Sequence, residues 1–121
     1  VMGLKLVRQI EREGGPISQV LNYPDLHLKA ALLGLEGEEG HILELIQYIN
    51  PPSAERPTEE RAVLGASHLA FTVTDMKATF AKLVEAGAKQ LNPPVEVPPG
   101  RIATYLQDPD GNWIELLDFG E

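Results

Sequence analysis

A chain of 121 residues with 43% hydrophobic and 23% charged side chains has the makeup of one folded domain and excludes a disordered tail. Its 10 Lys plus Arg against 18 Asp plus Glu give a formal charge of −8, a balance that repels nucleic acid and anionic membrane surfaces. With no cysteine, disulfide scaffolds, thiolate zinc sites and catalytic thiols drop out, and any metal must be held by nitrogen and oxygen ligands.

The chain opens at Val1 with Met2 behind it and runs directly into strand-like sequence, which points to a trimmed form of a longer protein. No signal peptide is visible at the start, and the longest apolar run, Ala30 to Leu35, falls far short of the ~20 residues a bilayer span needs. A cytoplasmic protein with neither membrane nor nucleic acid as partner is the expectation.

Leu4 to Glu11 alternates as a strand and ends at the breaker Gly14-Gly15-Pro16. Pro16 to Tyr23 suits a short helix, since Pro is tolerated in a first turn, and Pro24 stops it. Leu26 to Leu33 and His41 to Tyr48 read as strands separated by Gly34 to Gly40. Asn50 to Arg61, with Pro51, Pro52 and Pro57 among charges, reads as a linker. His68 to Val73 is the next strand, and Thr74-Asp75 offers an N-cap. Met76, Phe80, Leu83 and Val84 then recur at helical spacing up to Gly87. Pro93, Pro94, Pro98 and Pro99 mark a loop. Arg101 to Gln107 is a strand, Asp108-Pro109-Asp110-Gly111 a tight turn, and Asn112 to Phe119 the last strand.

An internal repeat organises these elements. Gly40-His41-Ile42-Leu43-Glu44-Leu45-Ile46-Gln47-Tyr48 aligns with Gly111-Asn112-Trp113-Ile114-Glu115-Leu116-Leu117-Asp118-Phe119 as Gly-x-x-aliphatic-Glu-Leu-aliphatic-polar-aromatic. Each copy follows a Gly- and acid-rich turn and another strand, so the chain is two related halves, each closing in a β-hairpin. The second half carries a strand and helix, His68 to Ala86, ahead of its hairpin. The first half has no counterpart to them, which fits a lost leading segment.

The repeat also singles out residues that carry chemistry. On a strand with period two, Glu115 shares a face with Trp113 and Leu117, and Glu44 shares one with Ile42 and Ile46. A carboxylate among apolar side chains is pushed toward its neutral form unless a cation compensates, and a metal ion is such a cation. One Glu of this kind ordinarily faces solvent, but the same Glu in both copies favours a shared site. His68 lies on a face with the small residues Ala70 and Thr72, as a cavity lining would, and imidazole with carboxylates suits Zn, Ni, Fe or Mn. A lone His is more often a hydrogen-bonded structural residue. His27 shares a face with Lys29 and Ala31 and either borders the cavity or faces solvent; His41, beside a turn, reads as solvated. Arg101 and Tyr105 share a face and suit an anionic substrate or rim packing. Asp108 to Asn112 is a turn, not a calcium loop, because its Gly is misplaced and Phe119 stands where the closing Glu belongs.

The stretches Gly65-Ala66-Ser67-His68-Leu69-Ala70-Phe71-Thr72-Val73-Thr74-Asp75 and Asp108-Pro109-Asp110-Gly111-Asn112-Trp113-Ile114-Glu115-Leu116, with Leu43 to Tyr48 and Met2 to Leu6, resemble the vicinal oxygen chelate superfamily of glyoxalases, bleomycin resistance proteins and dioxygenases. The resemblance implies an α+β fold of paired βαβββ modules forming a curved mixed sheet, the first module lacking its initial strand and helix. Residues 1–50 form that truncated module, 51–64 a linker and 65–121 the second module, together one domain. It also implies a divalent metal (Zn, Ni, Fe or Mn) on Glu44, His68 and Glu115. The fourth ligand position has no counterpart here. Glu115 and Glu44 are then the proton-transfer residues, and Trp113, Tyr105, Thr72 and Arg101 the substrate-binding ones. The implied activity is a metal-dependent lyase or isomerase acting on a small oxygenated substrate through an enediolate or enolate. The alternatives are a non-catalytic binding or antibiotic-resistance protein and an extradiol-type dioxygenase. A homodimer is the expected assembly.

Overall fold

A computed structural model describes residues 1–120. The chain forms two compact units, Met2–Arg56 and the part from Pro57 onward, dividing inside the segment read as a linker.

The first unit is a three-stranded antiparallel sheet in the order β1-β2-β3, made of β1 (Lys5–Glu13), β2 (His27–Gly34) and β3 (Leu43–Asn50), with α1 (Gly15–Leu21) between the first two. Pro16 enters the first turn of α1, where its missing N–H costs nothing, and Asn22 ends the helix in a left-handed conformation with φ 56. Ser18 Oγ accepts from the Leu26 N–H at 3.1 Å, tying the helix to the entry of β2. Leu26, Leu28 and Ala30 form the buried cluster, and Ile10, Ile17, Leu21 and Tyr48 pack against it. β2 and β3 form the hairpin that closes this half, with Leu32 opposite Glu44. β3 is paired along β2 only, and Ile42, Leu45, Ile46 and Ile49 on or beside it are exposed.

The second unit is a mixed sheet in the order β4-β8-β7-β5, and β6 also pairs with β7. Its strands are β4 (His68–Thr72), β5 (Lys89–Gln90), β6 (Val95–Val97), β7 (Arg101–Gln107) and β8 (Trp113–Asp118), with α2 (Met76–Glu85) after β4. The Asp75 side chain accepts from the Ala78 N–H at 2.9 Å, the N-cap expected of it. The helix ends as Gly87, at φ 104, takes a conformation that costs a Cβ-bearing residue. Met76 and Leu83 are buried, and α2 packs against β8. Asp118, itself buried, accepts from the Met76 N–H at 3.1 Å and from the Gly120 N–H at 2.9 Å, fixing the helix start to the sheet.

The hairpin turn between β7 and β8 is built by one side chain. Asp108 Oδ1 accepts from the N–H groups of Asp110 (3.0 Å) and Asn112 (2.8 Å), while Gly111 adopts φ 85. This pins Tyr105 opposite Glu115 and Gln107 opposite Trp113. Leu106 and Leu116 are fully buried on the helix side of the sheet.

The α+β organisation, the two hairpins of the repeat and the unequal halves are as the sequence implies. One local reading is corrected. The proline-rich stretch after α2 is not loop throughout: β5 and β6 form within it, each by pairing with β7. Leu69 is about half exposed on β4, an edge strand.

Candidate active site

The register of the second sheet decides which side chains meet. His68 lies opposite Trp113, Ala70 opposite Glu115 and Thr72 opposite Leu117 in the parallel pair, while Tyr105 lies opposite Glu115 in the antiparallel one. Alternation then puts His68, Ala70, Thr72, Trp113, Glu115, Leu117, Arg101 and Tyr105 on one face, away from the helix-side residues Ile114 and Leu116. Glu115 is central in its row, with Tyr105 on one side and the small Ala70 on the other. His68 is its diagonal neighbour, a distance long side chains span.

They do meet. His68 Nε2 stands 3.1 Å from Glu115 Oε2 and 3.3 Å from Tyr105 Oη. The His68 and Tyr105 rings pack edge to face at 5.1 Å, and Tyr105 and Trp113 do so at 6.5 Å. Glu115 is the more enclosed partner, with 20% of its side chain exposed against 40% for His68. Burial first, and then the neighbouring Glu115 carboxylate, push the Tyr105 hydroxyl above its ordinary value of 10.0, while Arg61 pulls the other way. Tyr105 is therefore a neutral hydroxyl at physiological pH and can donate.

Two contributors come from the Pro-rich segment and carried no periodic signal in the sequence. The Trp113 indole N–H donates to the backbone carbonyl of Glu59 at 3.0 Å, which draws the segment onto the site face. Arg61 then lies over the aromatic floor, its guanidinium carbon 4.3 Å from the Trp113 ring centre and 5.7 Å from that of Tyr105. Such a placement is a favourable cation–π arrangement. A side-chain pattern cannot reveal an anchor that is a backbone carbonyl.

Thr72 is on the site face two residue pairs from His68 and exposed; Arg101 sits at the far end of β7, opposite Val97 and exposed. Glu44 belongs to the first unit, exposed on the sheet face that also carries Leu28, Ala30 and Leu32. His27 takes the opposite face of β2 and pairs at 2.7 Å with Glu11, whose carboxyl this hydrogen bond holds below its usual range.

Among the described residues no group of three His, Asp or Glu side chains is gathered as a metal centre. The donors that do converge are of the right kind: one imidazole nitrogen and one carboxylate oxygen suit a borderline divalent ion.

The model of the Glyoxalase/Bleomycin resistance protein/Dioxygenase superfamily matches residues 1–116. The chain belongs to this superfamily. The uncharacterized protein YwbC of Bacillus subtilis is 30% identical over 97% of this chain and 79% of its own length. A glyoxalase family protein from Bacillus cereus has the same fold at TM-score 0.85, with 24% identity over 96% of this chain and 78% of that one. The trypanothione-dependent glyoxalase I of Leishmania major shares the superfamily fold at TM-score 0.61, with 21% identity over 97% of this chain and 70% of that one. No helix of the described residues is long and apolar enough to cross a membrane.

Proposed function

We propose that this superfamily member is a metal-dependent, glyoxalase-like lyase or isomerase that moves a proton α to a carbonyl in a small oxygenated substrate. The observation that carries the reading is the His68–Glu115 pair at 3.1 Å, backed by the Tyr105 hydroxyl. His68 and Glu115 would hold the divalent ion (Zn, Ni, Fe or Mn), with Glu44 of the first unit as the further carboxylate. When bound, such an ion supplies Lewis-acid polarisation of neighbouring substrate oxygens.

The chain's own groups do the rest. Glu115, partly withdrawn from water, is the carboxylate that takes and returns the proton, and Glu44 is the second candidate for that role. His68 orients Glu115 and serves as ligand. Tyr105, neutral at physiological pH, donates to an oxygen of the substrate on which negative charge develops. Trp113 and Tyr105 form the aromatic floor; Ala70 leaves room beside Glu115, and Thr72 and Arg101 extend the lining. We infer a homodimer in the cytoplasm as the working form, since the free edge of β3 and its exposed apolar side chains are surfaces that a second copy can cover.

The test is hydrogen–deuterium exchange at carbon, followed by proton NMR in D2O, with dihydroxyacetone, lactaldehyde and lactate as probes and added Zn, Ni or Mn. The expected result is metal-dependent loss of the α-proton signal, slowed at least about a hundredfold in Glu115→Gln. Absence of exchange with every metal, or exchange unaffected by Glu115→Gln, contradicts the reading.

A further inference from the structure

Arg61 takes no part in the proton chemistry just described, yet it is fastened to the same face. Its guanidinium covers Trp113, which is 6% exposed beneath it, and reaches toward Tyr105, whose hydroxyl is 3.3 Å from His68. Glu59, two residues upstream, is held by the Trp113 indole, so the segment is tied down beside Arg61. Among the described residues no carboxylate pairs with Arg61, in a chain where acidic side chains outnumber basic ones 18 to 10. Lys89, by contrast, already faces Glu59 at 4.0 Å.

A guanidinium held through a ring contact keeps its planar fork of N–H donors, and among the described residues no carboxylate takes it. That fork matches the two oxygens of a carboxylate. The net charge of −8 repels a small anion at long range, so an anionic substrate needs a local cation with no internal partner. Arg61 is that cation, and Tyr105 bridges it to the His68–Glu115 pair.

We propose that Arg61 anchors a carboxylate of the substrate, and that the substrates are small 2-hydroxy or 2-oxo carboxylates. The carboxylate rests on Arg61 and the adjoining oxygenated carbon faces His68 and Glu115. This rests on the assignment of that pair as the reaction centre, but the anion site itself needs no metal.

Trp113 is the single tryptophan of the chain, so its fluorescence reports the site directly. The experiment titrates the full chain, stripped of metal, with lactate and with its neutral analogue lactamide, and repeats the lactate series in Arg61→Gln, Arg61→Lys and the charge-matched Lys82→Gln. Calorimetry of the same solutions guards against a change in fluorescence alone. Lactate should give a saturable response that weakens with added salt. Binding should fall about tenfold or more in Arg61→Gln, fall less in Arg61→Lys, and stay within about twofold in Lys82→Gln. Lactamide should bind far more weakly than lactate. The proposal is overturned if the wild-type chain gives no saturable response to lactate, if Arg61→Gln binds lactate as the wild type does, or if lactamide binds as well as lactate. If carbon exchange fails while Arg61-dependent lactate binding persists, the lyase or isomerase reading falls and the anion site stands. Exchange that proceeds with lactate binding indifferent to Arg61→Gln leaves the reaction and removes the anion site.

Discussion

Tyr105 gives the site a property that can be read without substrate. Its hydroxyl is raised above 10.0 by burial and by Glu115, and Arg61 opposes the rise. Ultraviolet titration of the wild type against Tyr105→Phe isolates this one phenol. Its midpoint should move down toward the ordinary value in Glu115→Gln and further up in Arg61→Gln. The folded state binds the phenolic proton more tightly than the unfolded chain does. Tyr105 therefore contributes stability that is complete below pH 10 and is lost as pH rises through the folded value. Alkaline urea melts should show that decline reduced in Tyr105→Phe. His68, Glu115, Tyr105 and Trp113 were legible in the sequence because a strand's period of two puts them on one face once the repeat has drawn attention to Glu115. Arg61 was not, because its position depends on an indole–carbonyl bond between residues 54 positions apart. His27 was left between the cavity and solvent, because periodicity groups residues by face without saying which face is which. The β2–β3 register supplies that answer, setting Leu32 and Glu44 together and His27 opposite.

Helix α2 shows how local chemistry positions the site from the far side of the sheet. Asp75 caps its first turn, and Asp118 takes the Met76 N–H while sitting buried at the end of β8. Asp75→Ala should cost about 1 kcal/mol in urea denaturation, the ordinary loss of an N-cap. Asp118→Ala strands a buried N–H as well, and should cost more, about 1–3 kcal/mol. The cap, the Asp108–Asn112 turn and the strand Arg101–Gln107 were all readable from sequence, since each is specified by neighbours a few residues away. β5 and β6 were hidden for the opposite reason. A two-residue and a three-residue strand among four prolines have no pattern of their own and exist only because β7 offers a partner.

Each unit has its own core, Leu26, Leu28 and Ala30 in the first and the sheet-to-helix contacts around Leu116 in the second. Leu116 and Leu26 are fully buried, so truncation of either to Ala should destabilise its unit by about 2–5 kcal/mol, measured by denaturant melts followed by hydrogen exchange. The two-half organisation was visible in the sequence because the Gly-x-x-aliphatic-Glu-Leu pattern recurs. The central claim is that His68 and Glu115 hold a divalent ion, and isothermal titration of the full chain with Zn and Ni tests it most directly. Binding should be stoichiometric in the wild type and weakened about a hundredfold or more in both His68→Ala and Glu115→Gln. A wild-type chain that takes up neither ion, or variants that bind as tightly as the wild type, would contradict it.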